Sequence, residues 1–333
     1  MNIKPRVGFI VGPTAAGKSS AALRIAEQLG AEIVNADSRQ VYRGMDIGTA
    51  KPRAAELLRV PHHLIDIRDP GTPMDVAEFA SLARRTIVEI AARKRPVLVV
   101  GGSGLYVRVI RSGICAIPPA SSSVRALLTA VAAQRGTTCL FERLCTVDSE
   151  AAARISRNDL KRIVRALEVH ELTGVPLSEH QRRHRFAERP FETLTVALTQ
   201  PRERLYKTID RRFAAMLEEG LVGEVQRLWA KGYDRMQPPA SAAMDESYKP
   251  VALPLTTIGY REIAQFLRGE FSLAEATARA QRASRRLAKR QLTWFRADPE
   301  VIWLDAERDV DAALKLFRTF FGEADLHVSG PTA

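Results

Sequence analysis

Eight residues near the start of the chain have the spacing of a phosphate binder: Gly12, Pro13, Thr14, Ala15, Ala16, Gly17, Lys18 and Ser19. They supply a glycine, four residues, a glycine, a lysine and a hydroxyl. In such a loop the backbone N–H groups form a cradle for anionic oxygens at the positive end of a helix. Lys18 would reach a terminal phosphate, and the Ser19 hydroxyl would hold Mg2+. A glycine-rich turn without a ligand is the alternative, and the flanking sequence speaks against it. Val7 to Val11 is an apolar run that predicts a buried strand, and Ala21 to Leu29 has the composition of a helix.

Asp37 is the second chemical candidate. It follows Glu32 to Ala36, which reads as the next strand, so it stands at a carboxyl end. A carboxylate there serves as a general base or as a partner of Mg2+, or it only caps a turn. Residues 97–100, VLVV, read as a further buried strand. In an ordinary NTPase a Mg2+-holding aspartate should follow; here Gly101-Gly102-Ser103 follows. The omission disfavours an ATPase motor. It favours a transferase that offers its cradle to another anion. His180 and His184 have the i, i+4 spacing of zinc ligands but lack the neighbouring glutamate and cysteines, so no zinc is expected.

These residues need a scaffold. In the first third of the chain strands alternate with helices: a strand at His63 to Ile67, a helix from Asp75 to Arg93, a strand at Pro96 to Val100. That order predicts a parallel sheet covered on both faces. Ligands of such sheets bind beyond the carboxyl ends of the strands, so the 12–19, 37–40 and 101–104 loops should converge. From 114 to 190 strand patterns vanish and helical spacing takes over, with an apolar stripe over Ala151 to Thr173. Between 154 and 189 there are nine Lys/Arg against five Asp/Glu. This predicts a basic helical insertion. Thr193 to Leu198 rejoins the sheet. Arg202 to Ala230 is amphipathic and helical, the proline-containing 235–255 stretch reads as a loop, and Ser272-Leu273-Ala274-Glu275 is a capping box that opens a long basic helix. Val301 to Leu304 would be a last strand, and 323–333 a loose tail.

Composition sets outer bounds. The chain has 333 residues, 46% of them apolar, which is enough for two or three domains of ~150 residues. No apolar run reaches the ~18 residues that a membrane span needs. The opening apolar run is too short for a signal peptide, and Cys115, Cys139 and Cys145 are scattered, so a cytoplasmic chain with reduced thiols is expected. Net charge is +12 and the sequence pI about 10.0. That excess implies a polyanionic partner, nucleic acid first, or a basic surface that binds nothing.

Taken together, the stretches resemble the bacterial tRNA dimethylallyltransferases, also called tRNA isopentenyltransferases (the MiaA family). The resemblance rests on 12–19, on DSRQVYRGMDIGTAKP at 37–52, HHLIDI at 62–67, GGSGLY at 101–106, RALEV at 165–169, RRF at 211–213, IGYRE at 258–262 and LAKRQLTWFR at 287–296. It implies a P-loop α/β core (1–113 and 191–322) with an inserted all-helical domain (114–190) that binds the anticodon stem-loop. It implies Mg2+-dependent transfer of a dimethylallyl group from dimethylallyl diphosphate to the exocyclic amine of the adenosine 3′ of the anticodon; a monomer is expected, although the sequence does not disclose the oligomeric state. Asp37 would be the general base, with Ser103 and Arg212 on the diphosphate. Asp37, Ser38, Arg39 and Gln40 would hold the flipped base. Arg125, Lys161, Arg162, Ile163, Val164 and Arg165 would touch tRNA, as would Gly259, Tyr260 and Arg261 and, on the late helix, Arg285, Lys289 and Arg290. Three positions depart from the family pattern: Ser103 replaces threonine, Leu160 replaces proline, and Thr256 stands where arginine is common. A small-molecule kinase and a noncatalytic RNA-binding P-loop protein are the rival readings. The basic helices disfavour the first, and Asp37 the second.

Overall fold

The structure, a computed structural model, describes residues 4–115, 117–185, 187–233 and 253–322. The 323–333 tail and most of the 235–255 loop lie outside the described residues. Six strands form one all-parallel sheet: β1 (Arg6–Val11), β2 (Glu32–Asn35), β3 (His62–His63), β4 (Val97–Val100), β5 (Glu192–Thr199) and β6 (Val301–Asp305), in the spatial order β3-β2-β4-β1-β5-β6. The helices, in chain order, are α1 (Lys18–Leu29), α2 (Ala54–Arg59), α3 (Val76–Ala92), α4 (Gly104–Ser112), α5 (Ser122–Arg135), α6 (Thr137–Val147), α7 (Ser149–Arg154), α8 (Leu160–Thr173), α9 (Leu177–His184), α10 (Arg202–Glu218), α11 (Leu221–Ala230), α12 (Tyr260–Leu267), α13 (Leu273–Arg296) and α14 (Val310–Phe321). No helix among the described residues is long and apolar enough to cross a membrane.

Alternation along β1 explains why the sheet is covered twice. Val7, Phe9 and Val11 face a core that includes Phe79 and Ile87 of α3, Phe213 of α10 and Phe295 of α13. Ile10 points the other way, into a core built from α1 and α14. The described residues form two compact units. The sheet and its covering helices belong to one; the other runs from Ser112 to Glu188. That second unit has its own core, with Leu128, Leu140, Leu144, Ile163 and Leu167 buried together.

Several elements differ from their sequence patterns. The strand expected at His63 to Ile67 keeps only His62–His63, because Leu64 and Asp66 take left-handed backbone angles (φ 62 and 56) that no strand tolerates. The stripe over Ala151 to Thr173 is two helices. Asp159 interrupts it by accepting the Arg162 N–H with its side chain, which caps α8. Gly220, at φ 99, likewise splits 202–230 into α10 and α11.

One buried carboxylate shapes the segment after Asp37. Glu224 on α11 is 3% exposed and accepts the N–H groups of Asp46, Ile47 and Gly48 at 3.1, 2.9 and 3.2 Å. Tyr260 adds its hydroxyl at 2.5 Å. The Tyr260 ring lies so close to Gly48 that a Cβ there would come within 2.4 Å of it. Removing Glu224 strands three backbone donors. We therefore expect Glu224→Ala to cost about 3 kcal/mol or more and Tyr260→Phe about 1–2 kcal/mol. Urea unfolding of the two variants checks the order; equal midpoints for Glu224→Ala and wild type would refute it.

Candidate active site

Strand order brings the three candidate loops together. β4 lies between β1 and β2, with Val100 paired to both Ile10 and Asn35. The chain therefore leaves all three strands at one level, into the phosphate loop, Gly101–Ser103 and Asp37. The packing is close. A Cβ on Gly101 would lie 2.2 Å from the Ala36 carbonyl, and one on Gly12, at φ 135, would lie 2.2 Å from the Leu198 carbonyl. Only glycine permits either approach. Above the loops opens a cavity of about 1740 Å3, lined in part by Lys18, Ser19, Asp37, Ser103 and Arg212.

The phosphate loop is held from several sides. Ala16 is fully buried against Leu205 and Ile209 of α10 and Ala288 of α13. Ala15 takes a left-handed backbone angle, φ 64, and its carbonyl accepts the Gln200 side-chain amide at 2.9 Å. The Lys18 ammonium donates to the Pro13 carbonyl at 2.6 Å. Arg212 donates to the Thr14 hydroxyl at 3.3 Å. Burial lowers the Lys18 pKa to about 8; Asp37 opposes the shift and Arg212 reinforces it. Burial also lowers the Arg212 pKa, again against the pull of Asp37. Two cations thus share a desolvated place at the mouth of a backbone N–H cradle, an arrangement suited to a polyanion.

Asp37 is fixed by its neighbours. Its N–H donates to Asn35 Oδ1 at 3.0 Å, and Asn35 Nδ2 donates back to the Asp37 carbonyl at 3.2 Å and to Leu64 at 3.1 Å. Carboxylate Oδ1 accepts the Arg39 N–H at 2.8 Å. Among the described residues no hydrogen bond reaches Oδ2. Ser103 Oγ accepts the Ser38 N–H at 3.0 Å and lies 3.2 Å from Ser38 Oγ. Gln40 donates to the Thr49 and Ala50 carbonyls at 3.1 and 3.0 Å, so its amide braces the loop.

The chain matches the family model described as IPP transferase over residues 40–298. It is 46% identical over 318 residues to the tRNA dimethylallyltransferase of Geobacter metallireducens, covering 96% of this chain and 98% of that one. It is 45% identical over 320 residues to that of Geobacter sulfurreducens, again 96% and 98% covered. The crystal structure of the tRNA isopentenylpyrophosphate transferase of Bacillus halodurans aligns with TM-score 0.67 at 37% identity, over 97% of this chain and 98% of that one. This chain belongs to the IPP transferase family. A eukaryotic dimethylallyltransferase acting on tRNA shares the fold, with TM-score 0.75 at 24% identity over 94% of this chain and 77% of the other.

Within this IPP transferase several expected RNA contacts need correction. Ile163 and Val164 are buried, 0% and 6% exposed, in the core of the second unit, and their side chains face α8's partners. Gly259 and Tyr260 are buried as well, and Tyr260 is engaged with Glu224. The Ile163, Val164 and Tyr260 side chains are therefore turned into the fold rather than to solvent. Arg125 and Arg165 converge on the fully buried Glu168, at 2.9 and 2.6 Å, and Arg165 also donates to the Pro118 carbonyl at 2.7 Å. Burial alone would raise the Glu168 pKa, but hydrogen bonds from Arg165, the Ser121 N–H and Arg125 hold it below its ordinary value. Arg285 is paired with Asp210 at 2.5 Å. Lys161, Arg162, Lys289 and Arg290 are exposed, and Arg39, Arg261 and Arg290 line the cavity. Sequence reasoning passed over Asn35, Gln200 and Glu224, and reached Gln291 only as part of the 284–291 stretch expected on tRNA; each acts by hydrogen bonds to distant backbone, which leaves no local periodicity.

An anion between Lys18 and Arg212 should pull the lysine pKa back up. Above about pH 8 the complex then holds a proton that the free protein has released, so affinity falls as pH rises; below it this lysine leaves affinity flat. Sulfate, which does not titrate in this range, is the probe. Calorimetric titration should show its affinity falling through pH 8 in wild type and not in Lys18→Arg. Parallel profiles for the two proteins would remove Lys18 from the site.

Proposed function

We infer that the chain prenylates tRNA. It transfers the dimethylallyl group of dimethylallyl diphosphate to the exocyclic amine of the adenosine immediately 3′ of the anticodon, and diphosphate leaves. The observation that carries this reading is the shared cavity. A loop with two cations, Lys18 and Arg212, and a carboxylate, Asp37, whose Oδ1 accepts only a backbone N–H among the described residues, open into one space in a member of the IPP transferase family.

Each residue follows from the chemistry of the step. The amine nitrogen forms a bond to the donor's first carbon while the bond from that carbon to the bridging oxygen breaks. Negative charge grows on the diphosphate. The loop N–H groups not already bonded within the protein, with Lys18 and Arg212, would receive it. The amine becomes positively charged and must lose a proton. Asp37 Oδ2 takes it, while Oδ1 stays on the Arg39 N–H. Ser103 holds the Ser38 backbone and so the edge of the base pocket, with Arg39 and Gln40 beside it.

The donor set also suits Mg2+. Ser19, an exposed residue lining the cavity, would hold it through its hydroxyl. A cation that keeps several waters and otherwise binds phosphate oxygens needs no more protein ligands than that. When bound it supplies charge neutralisation to the departing diphosphate. Exposed Lys161 and Arg162 of the helical unit, with Lys289 and Arg290 of the other, are the cations open to the RNA backbone, whereas Arg261 is held on the buried Glu262 carboxylate.

The direct test is incubation with dimethylallyl diphosphate, Mg2+ and unmodified tRNA, then mass spectrometry of the nucleosides. A five-carbon gain on adenosine is expected, and unmodified adenosine throughout would refute the assignment. Asp37→Ala should slow transfer by ~10²–10⁴ with tRNA affinity near wild type. In the helical unit two arginines should behave differently. Arg162→Glu should weaken tRNA binding and flatten its salt dependence at near-constant stability. Arg165→Glu would set a second carboxylate against buried Glu168 and should cost about 3–5 kcal/mol of stability. Filter binding over a salt series, beside thermal melts, separates the two; equal melting temperatures would overturn the structural role of Arg165.

A further inference from the structure

One glutamine, Gln291 of α13, touches both loops that the reaction needs. Its Oε1 accepts the Thr14 N–H at 2.8 Å, and its Nε2 donates to the Gly102 carbonyl at 2.9 Å. The partners fix the amide's orientation, since one can only donate and the other only accept. The fit is tight: a Cβ on Gly102 would stand 2.4 Å from Nε2 and 3.2 Å from the Gly12 carbonyl. On one side the contact continues through Thr14, whose hydroxyl accepts from Arg212. On the other it continues through Ser103, which holds Ser38 next to Asp37.

We propose that Gln291 is a positioning residue for prenyl transfer. Its planar amide sets the distance between the loop that holds the leaving diphosphate and the turn that holds Asp37. This rests on the function given above. Transfer between groups on two loops is sensitive to their separation, and a shift of about 1 Å can cost ~10²-fold in rate. Both partners of Gln291 are backbone groups, so no rotamer change elsewhere restores the span. Few side chains can replace it. Leucine has the bulk and neither hydrogen bond, glutamate offers acceptors only, and asparagine is one methylene short.

Single-turnover transfer with saturating tRNA, dimethylallyl diphosphate and Mg2+ tests the proposal, with Gln291→Leu and Gln291→Glu compared to wild type. Gln291→Leu should lower the rate constant about 10- to 100-fold, with KM for tRNA, tRNA affinity and melting temperature close to wild type. Gln291→Glu keeps the Thr14 contact and should lose less; it also serves if the leucine variant does not fold. Gly102→Ala, which displaces the amide, should add little to Gln291→Leu. Transfer at the wild-type rate in both Gln291 variants would overturn the proposal alone. So would a loss that extra tRNA restores, because Gln291 would then be an RNA contact. No product from wild type would overturn the assigned function and this proposal with it.

Discussion

Everything at the site depends on β4 lying between β1 and β2. Parallel strands in register end at one level, and neighbours stand about 4.8 Å apart. The ends of β1 and β2 are therefore about 10 Å apart, two strand spacings. That gap lets a phosphate cradle and a carboxylate face each other across a small reacting group. It also obliges the turn after β4 to pass between them without filling the space. Gly101 and Gly102 meet that demand, the first against the Ala36 carbonyl and the second against Gln291. Where an ordinary NTPase would place an acid, this chain needs the absence of a side chain.

The electrostatics of the cavity follow from the same geometry. Lys18 and Arg212 are both desolvated, and both feel Asp37. Such a cluster costs stability, because two half-buried cations repel one another and have lost part of their water. The cost is offset elsewhere, in part by Glu224, which gathers three backbone N–H groups and Tyr260 into one buried anchor. The anchor fixes the segment after Asp37 from behind, so the loop that carries chemistry need not supply its own packing.

How much of this the sequence revealed depended on the range of the interaction. The phosphate loop was legible because its strand, glycines, lysine and helix are contiguous. The convergence of three loops followed from the rule that parallel sheets bind ligands at their carboxyl ends, and the structure has that arrangement. Short strand patterns were less safe. His63 to Ile67 reads as a strand, yet Leu64 and Asp66 turn left-handed and leave only His62–His63. Helix α14 left no signal in the sequence analysis, although its Phe317 and Phe321 help α1 to cover one face of the sheet. The supporting residues were invisible. Asn35, Gln291 and Glu224 make their bonds to backbone that is far away in sequence or set by a turn, and no pattern of residue types records such partners.

Charge was the least transparent property of all. A net +12 signals a polyanion but does not say which cations face it. Many of them are committed to the fold. Arg125 and Arg165 neutralise Glu168, Arg285 pairs with Asp210, and Arg279 stacks 3.7 Å over the Phe271 ring. A guanidinium locked on a buried carboxylate contributes little field to a distant phosphate, and mutating it unfolds what it holds. An exposed cation does the opposite: it adds to long-range attraction and can be removed at small structural cost. The RNA footprint is therefore to be sought among exposed residues such as Lys161, Lys289 and Arg290 rather than by counting basic residues along α8 and α13. The same logic explains why α8 combines Lys161 and Arg162 on its surface with Ile163 and Val164 beneath them: the buried pair fixes the helix, and the exposed pair gives it a charged face.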